Sequence, residues 1–485
     1  MKKMILLLLV LCSIQQLNAQ KFEVSYSPEL MSDSFSGSVL LYLSKENPSP
    51  KDGFHIFERS PMFRVVVEDL QPGATLTFDD AALAYPVALS NIERGEYYVQ
   101  ALFDRKLKGQ TINNGPGNLY SDPARFILDK NFDTVYTILC NQMVPEVTMK
   151  ETDRMKELVV DSRLLSQFHD RPMQIAGAVQ LPEGYDPKSK KKYPVVYSVF
   201  GFGANYKTHA GYPKYDIPML GEEPAIVVYL DGRCLEGHST YANSDINGPW
   251  GDALVKEFIP ALEKKYQANG ARFLFGHSSG GWTVMWLQTQ YPETFAGAWS
   301  SAPDQVDFRN WQNINIYETK NLYYSPSGQP LSDVTIAGRI PVTSTKDMFR
   351  MEEILYRGEQ MRSFDAVFGH RDEKGEIIRL VDLETGDINP EALPYFRRYD
   401  LSYQLRNNWD QYEKAIAGKI LISVGEHDNF YLHKAVHLLD EEMQKLNADM
   451  QFAYYPGDHF TVFTEEYKQA GVAFLTECYA KWKEE

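Results

Sequence analysis

The 485-residue chain is poor in cysteine, with four in all. Cys12 falls in the N-terminal stretch, and the remaining Cys140, Cys234 and Cys478 are odd in number with no CxxC spacing. That excludes a disulfide-stapled scaffold and a zinc knuckle, and buried free thiols are expected. Basic residues are also scarce: 49 Lys and Arg stand against 65 Asp and Glu, for a net charge of −16. Without a basic face, nucleic acid is not an expected partner. Beyond the first residues no run approaches the about 20 apolar residues of a membrane span. Tryptophan is missing from the first half, all seven lying at or after Trp250. Neither an internal repeat nor a low-complexity tract is present.

What is there begins with a leader. Lys2 and Lys3, the apolar run Met4 to Leu11 and Leu17-Asn18-Ala19 read as a secretory signal cleaved after Ala19, so 1–19 is expected to be removed. Leu11 before Cys12 is too bulky for a lipidation site, so a secreted or periplasmic protein is expected. The composition, 44% hydrophobic and 24% charged, is that of a chain that builds cores.

From Lys21 to Val144, short alternating runs (Ser38 to Leu43, Phe63 to Val67, Tyr97 to Phe103, Thr134 to Leu139) are separated by Gly- and Pro-rich turns. This predicts an immunoglobulin-like β-sandwich over 20–150. From Glu151 onward apolar strands alternate with amphipathic helices, which predicts an α/β domain over 151–485. Its expected strands are Tyr193 to Gly201, Ala225 to Gly232, Arg272 to Gly276, Phe295 to Ser300, Lys419 to Gly425 and Gln451 to Tyr455. Expected helices are Trp250 to Tyr266, Trp282 to Tyr291, Tyr431 to Leu446 and Thr461 to Lys483. The stretch 304–413 interrupts this rhythm and reads as a cap insertion, with helical pieces over Met348 to Arg362 and a hairpin around Asp372 to Gly375. Lys188 to Lys192 reads as a solvated loop.

The chemistry concentrates at Gly276-His277-Ser278-Ser279-Gly280-Gly281, between a predicted strand and a predicted helix. This is the context that a G-x-S-x-G nucleophile elbow needs: Ser278 sits in a strained turn, and side chains at 276 and 280 would strike the flanking strand and helix. In that fold the order is nucleophile, acid, base. His459, after the last strand, is the expected base. Asp428 is the expected acid, with Asp304 and Glu426 as alternatives. His433 and His437 stand one turn apart on a helix but lack the adjacent Glu of a metalloprotease, so no metal site is expected. For the oxyanion, the N–H groups of Ser279 and of Phe202, in Gly201-Phe202-Gly203, are the expected donors.

These residues give the chain its resemblance to the putative-esterase family of α/β-hydrolases, which includes esterase D, feruloyl esterases and enterochelin esterases. The likeness runs from about Asp161 to the C-terminus. It is carried by Val179 to Tyr185, by Tyr193-Pro194-Val195-Val196-Tyr197, by 276–281, and by Asp428 and His459. It implies an α/β-hydrolase fold and cofactor-free ester hydrolysis by Ser278, Asp428 and His459. Phe200, where relatives often carry His, departs from the pattern. The expected function is hydrolysis of carboxylic esters, whether small, siderophore or glycan-linked feruloyl and acetyl esters. A prolyl-oligopeptidase-like peptidase and a non-catalytic carbohydrate-binding protein are the alternatives. Aromatics of the cap (Trp311, Tyr323, Tyr324, Phe364, Phe396, Tyr399) read as packing more than as a substrate platform.

Overall fold

The computed structural model describes residues 21–53, 55–105, 113, 115–128, 134–356 and 358–484. The expected leader, 1–19, lies outside the described residues. The described residues divide into two compact units, one formed within 21–53, 60–103, 119–128 and 134–142, the other from 55–59, 104–105, 113, 115–118, 143–356 and 358–484.

The first unit is built of nine strands: Lys21–Tyr26, Phe35–Ser44, Met62–Leu70, Leu76–Phe78, Leu83–Tyr85, Gly95–Asp104, Leu119–Ser121, Ala124–Leu128 and Val135–Met143. Period-2 alternation governs the last of them, where Tyr136, Ile138 and Cys140 turn inward onto Phe22, Val24 and Phe103. The four alternating runs of the sequence lie in strands, except that the last begins one residue early, at Thr134. The expected immunoglobulin-like pair of sheets does not appear as two ladders. Hydrogen bonds link all nine strands into a single sheet, and the first strand runs parallel to the last. Alternation marks which residues point inward, but it carries no information about which strands pair.

The second unit is mixed α/β. Its sheet contains β1 (Met155–Asp161), β2 (Gln174–Gln180), β3 (Tyr193–Val199), β4 (Ile226–Leu230), β5 (Ala268–His277), β6 (Gly297–Ser301), β7 (Ile420–Gly425) and β8 (Gln451–Tyr455). Their spatial order is β1-β2-β4-β3-β5-β6-β7-β8. The pairs β1–β2 and β2–β4 are antiparallel and all the others parallel. Every residue of β3, β4 and β6 is buried, as expected for parallel strands covered on both faces. The edge strand β1 and its neighbour β2 escaped the sequence reading, and β1 alternates only weakly between buried and exposed positions.

Helices α1 (Ser279–Gln290), α2 (Thr345–Leu355), α3 (Gln360–Phe368), α4 (Leu432–Lys445) and α5 (Glu465–Trp482) follow in chain order. The helical pieces expected over Met348 to Arg362 are α2 and the start of α3, which runs on to Phe368. Tyr356 (φ 47°) and Gly358 (φ 71°) take left-handed backbone and end the first. The expected turn at Asp372 to Gly375 is present, with the Asp372 N–H donating to the Glu376 carbonyl at 2.8 Å. Cap aromatics pack on one another, Trp311 against Phe364, Phe368 and Phe396 at centroid distances of 5.2–6.0 Å.

Candidate active site

Five loops at the carboxyl edge of the second unit's sheet carry the site. They follow β3, β5, β6, β7 and β8. Strand β5 ends at His277, and the chain then turns sharply through Ser278 (φ 61°, ψ −127°) into α1. Left-handed backbone at a non-glycine residue costs on the order of 1–3 kcal/mol, so the surrounding packing must impose it. The glycines show how. A Cβ at Gly276 would collide with the Gly280 carbonyl, one at Gly280 with the Val199 carbonyl, and one at Gly281 would come within 2.6 Å of the Ser301 carbonyl. Ser278 is pinned by its N–H donating to Ser301 (3.0 Å) and by its carbonyl accepting from Trp282 (3.1 Å) and Asp304 (3.1 Å).

Asp428 and His459 arrive from the loops after β7 and β8. His459 Nδ1 lies 2.7 Å from Asp428 Oδ2, and both side chains are buried. The other carboxylate oxygen, Oδ1, accepts from the backbone N–H groups of Phe430 (2.8 Å) and Leu432 (3.3 Å). A carboxylate so bonded demands N–H at Nδ1, which leaves Nε2 as a proton acceptor. Asn429 fixes the loop carrying the histidine. Its Oδ1 accepts from the His459 N–H (3.1 Å), and its Nδ2 donates to the Thr335 carbonyl in the cap (2.8 Å). The rings of Phe430 and His277 pack on the imidazole, at 5.0 and 4.5 Å between centroids.

The alternative acids are elsewhere. Glu426 is exposed and pairs with His437 Nε2 at 3.1 Å. Asp304 is buried beside the serines, not the histidine: Ser279 Oγ donates to its Oδ2 (2.5 Å) and Ser278 Oγ to its Oδ1 (3.4 Å). Burial raises the Asp304 carboxyl to about 6, against the opposing hydrogen bonds of the two serines. Ser278 Oγ thus points to Asp304, and no hydrogen bond among the described residues joins it to His459. Ser278 and His459 nevertheless line one pocket of about 200 Å³, with Gly201, Phe202 and Asp304. Gly201 lies so close that a Cβ there would come 3.1 Å from the Ser278 Cβ. His433 and His437 form no metal cluster with a third ligand among the described residues.

The Putative esterase family model matches residues 168–471, which spans β2 to α5 and takes in every residue above from Gly201 to His459. The chain belongs to this family. It is an enzyme, a hydrolase of carboxylic esters. No curated protein matches the esterase. Among solved structures it is similar to a ferulic acid esterase, with 15% identity over 67% of this chain and 100% of that one (TM-score 0.41). It is also similar to an S-formylglutathione hydrolase from Agrobacterium tumefaciens, with 15% identity over 69% and 97% of the two chains (TM-score 0.38). A third is FphF, a fluorophosphonate-binding serine hydrolase of Staphylococcus aureus, with 14% identity over 66% and 98% (TM-score 0.38).

The esterase's pocket also holds residues that sequence reasoning did not find: Lys214, Gln312, Gln360, Phe430 and Phe460. Gln312 and Gln360 come from the cap, whose residues carry no motif. Lys214 sits in the loop after the expected oxyanion glycines, which was the one available signal. The six cap aromatics singled out in the sequence are absent from the pocket lining.

Proposed function

We propose that the esterase works through Ser278 as nucleophile, His459 as general base and then acid, and Asp428 as the group that orients His459. The observation that carries this reading is the buried 2.7 Å Asp428–His459 pair, whose histidine shares a pocket with a serine held in a strained elbow. Rotation about the Ser278 Cα–Cβ bond takes Oγ from Asp304 toward Nε2 of the imidazole. Oγ then attacks the ester carbonyl as its proton passes to Nε2. The tetrahedral oxyanion is held by the N–H groups of Phe202 and Ser279, neither of which donates a hydrogen bond among the described residues. The proton returns to the departing alcohol, and water hydrolyses the acyl-enzyme by the same route reversed.

The leader-like residues 1–19 support secretion or a periplasmic site of action. The modest pocket volume suits a small ester group, free or at the end of a glycan chain. The test is hydrolysis of p-nitrophenyl butyrate, with fluorophosphonate labelling, by the native protein and by Ser278→Ala. We expect the variant to lose labelling and on the order of 10⁶ in kcat. Retention of most of the activity refutes the assignment.

A further inference from the structure

The pocket around Ser278 contains a cation that no carboxylate among the described residues pairs with. Lys214 lines the pocket, and its Nζ sits 4.2 Å from the centroid of the Phe463 ring and 5.7 Å from that of Tyr215. Among the described residues no Asp or Glu oxygen lies within 4 Å of it, and it makes no hydrogen bond. Asp304, the carboxylate that lines the same pocket, is bonded to Ser278 and Ser279 instead. Burial alone lowers the ammonium to about 8, and its charge in turn helps depress the neighbouring His277. Aromatic faces offset only part of the lost hydration of an ammonium ion, so a half-buried lysine without a counter-ion is held at a cost.

Several half-buried cations elsewhere in this unit do have carboxylate partners. Arg272 pairs with Glu263 at 2.7 Å and Arg309 with Asp307 at 2.6 Å. In a protein of net charge −16, an ammonium without a carboxylate partner beside the nucleophile runs against the overall sign of the charge. We infer that Lys214 recognises a single negative charge on the ester itself, so that the preferred substrates are esters bearing a carboxylate or comparable oxyanion within reach of Nζ when their carbonyl is at Ser278. This rests on the reading of Ser278 as nucleophile. A lysine supplies a point charge without the planar fork of arginine, so it selects for charge and distance and not for a bidentate shape.

The experiment compares matched pairs of esters at pH 7 and low ionic strength. One pair carries the charge on the acyl side: p-nitrophenyl hydrogen glutarate against its methyl ester. The other carries it on the alcohol side: carboxymethyl butyrate against its methyl ester, followed by pH-stat. The expected result is that native protein prefers the anionic member of at least one pair by about tenfold or more in kcat/KM, with 0.5 M NaCl eroding the preference. Because the net field of the protein repels anions, such a preference must come from a local group. Lys214→Met should bring the ratio to about one, and Lys214→Arg should keep most of it. A ratio near or below one for both pairs in the native protein overturns the inference. So does an unchanged ratio in Lys214→Met. If Lys214→Met does not fold, the native ratio and its salt dependence decide. Failure of the nucleophile reading looks different: the neutral esters would resist the native protein, or would be cleaved equally by Ser278→Ala.

Discussion

Replacing Asp428 with Asn changes one atom and should disable the enzyme. In the native site Oδ2 accepts the hydrogen bond of the His459 Nδ1–H at 2.7 Å, while Oδ1 is held by the Phe430 and Leu432 N–H groups. An Asn side chain keeps its carbonyl oxygen on those two donors and turns its NH₂ to Nδ1. Nδ1 must then accept, which puts the ring proton on Nε2, the nitrogen that has to receive the proton of Ser278. The same substitution in the Ser-His-Asp template lowers kcat by about 10⁴, or about 5.4 kcal/mol of transition-state stabilisation. A comparable loss is expected here, because nothing nearby substitutes: Glu426 is engaged by His437, and Asp304 by the two serines. The assay is kcat and KM on p-nitrophenyl butyrate, with the thermal midpoint confirming an intact fold. The expected pattern is a collapse of kcat with KM little changed. Activity within tenfold of native, or a larger loss from Glu426→Gln than from Asp428→Asn, would refute the assignment of the acid.

Two further outcomes concern the frame that holds the site. Gly280→Ala places a Cβ against the Val199 carbonyl and 2.8 Å from that of Phe200, and should cost roughly 1–3 kcal/mol or more, read as a fall of several degrees in thermal midpoint. An unchanged midpoint would mean that the elbow is not packed as described. In the cap, burial and the charge of Glu352 raise the Asp333 carboxyl to about 8. The folded state therefore keeps a proton that the unfolded chain has released, and stability falls as pH rises toward and through 8. At about 1.4 kcal/mol per pH unit, Asp333→Asn should remove roughly 2–3 kcal/mol of the decline between pH 6 and 8, measured as a flatter midpoint-versus-pH curve. Parallel curves for the two proteins would refute it.

The second unit was largely legible in the sequence because its physics is local. Six apolar segments between turn residues became β3 to β8, and Gln451 to Tyr455 matched residue for residue. The elbow was legible for the same reason, since only glycine fits at 276 and 280. Asp428 could be ranked by its position after β7, but its contact with His459 spans 31 residues and depends on the placement of two loops. Strand pairing in the first unit, the break between α2 and α3, and the pocket's Lys214 and Gln312 were not legible. Each depends on which distant segment lies opposite, and the sequence records that only as hydrophobicity.

Asn429 gives the cap a consequence for how this scaffold can diversify. It clasps the cap through Thr335, whose N–H and hydroxyl bond back to the Asn429 carbonyl at 2.8 and 3.1 Å, and it clasps the base through the His459 N–H. The cap is therefore tied to the loop that carries the proposed base and is not a detachable cover. A chimaera that grafts a foreign insertion between β6 and β7 must bring a matching partner for Asn429, or it will inherit a new substrate chamber and a misaligned base together.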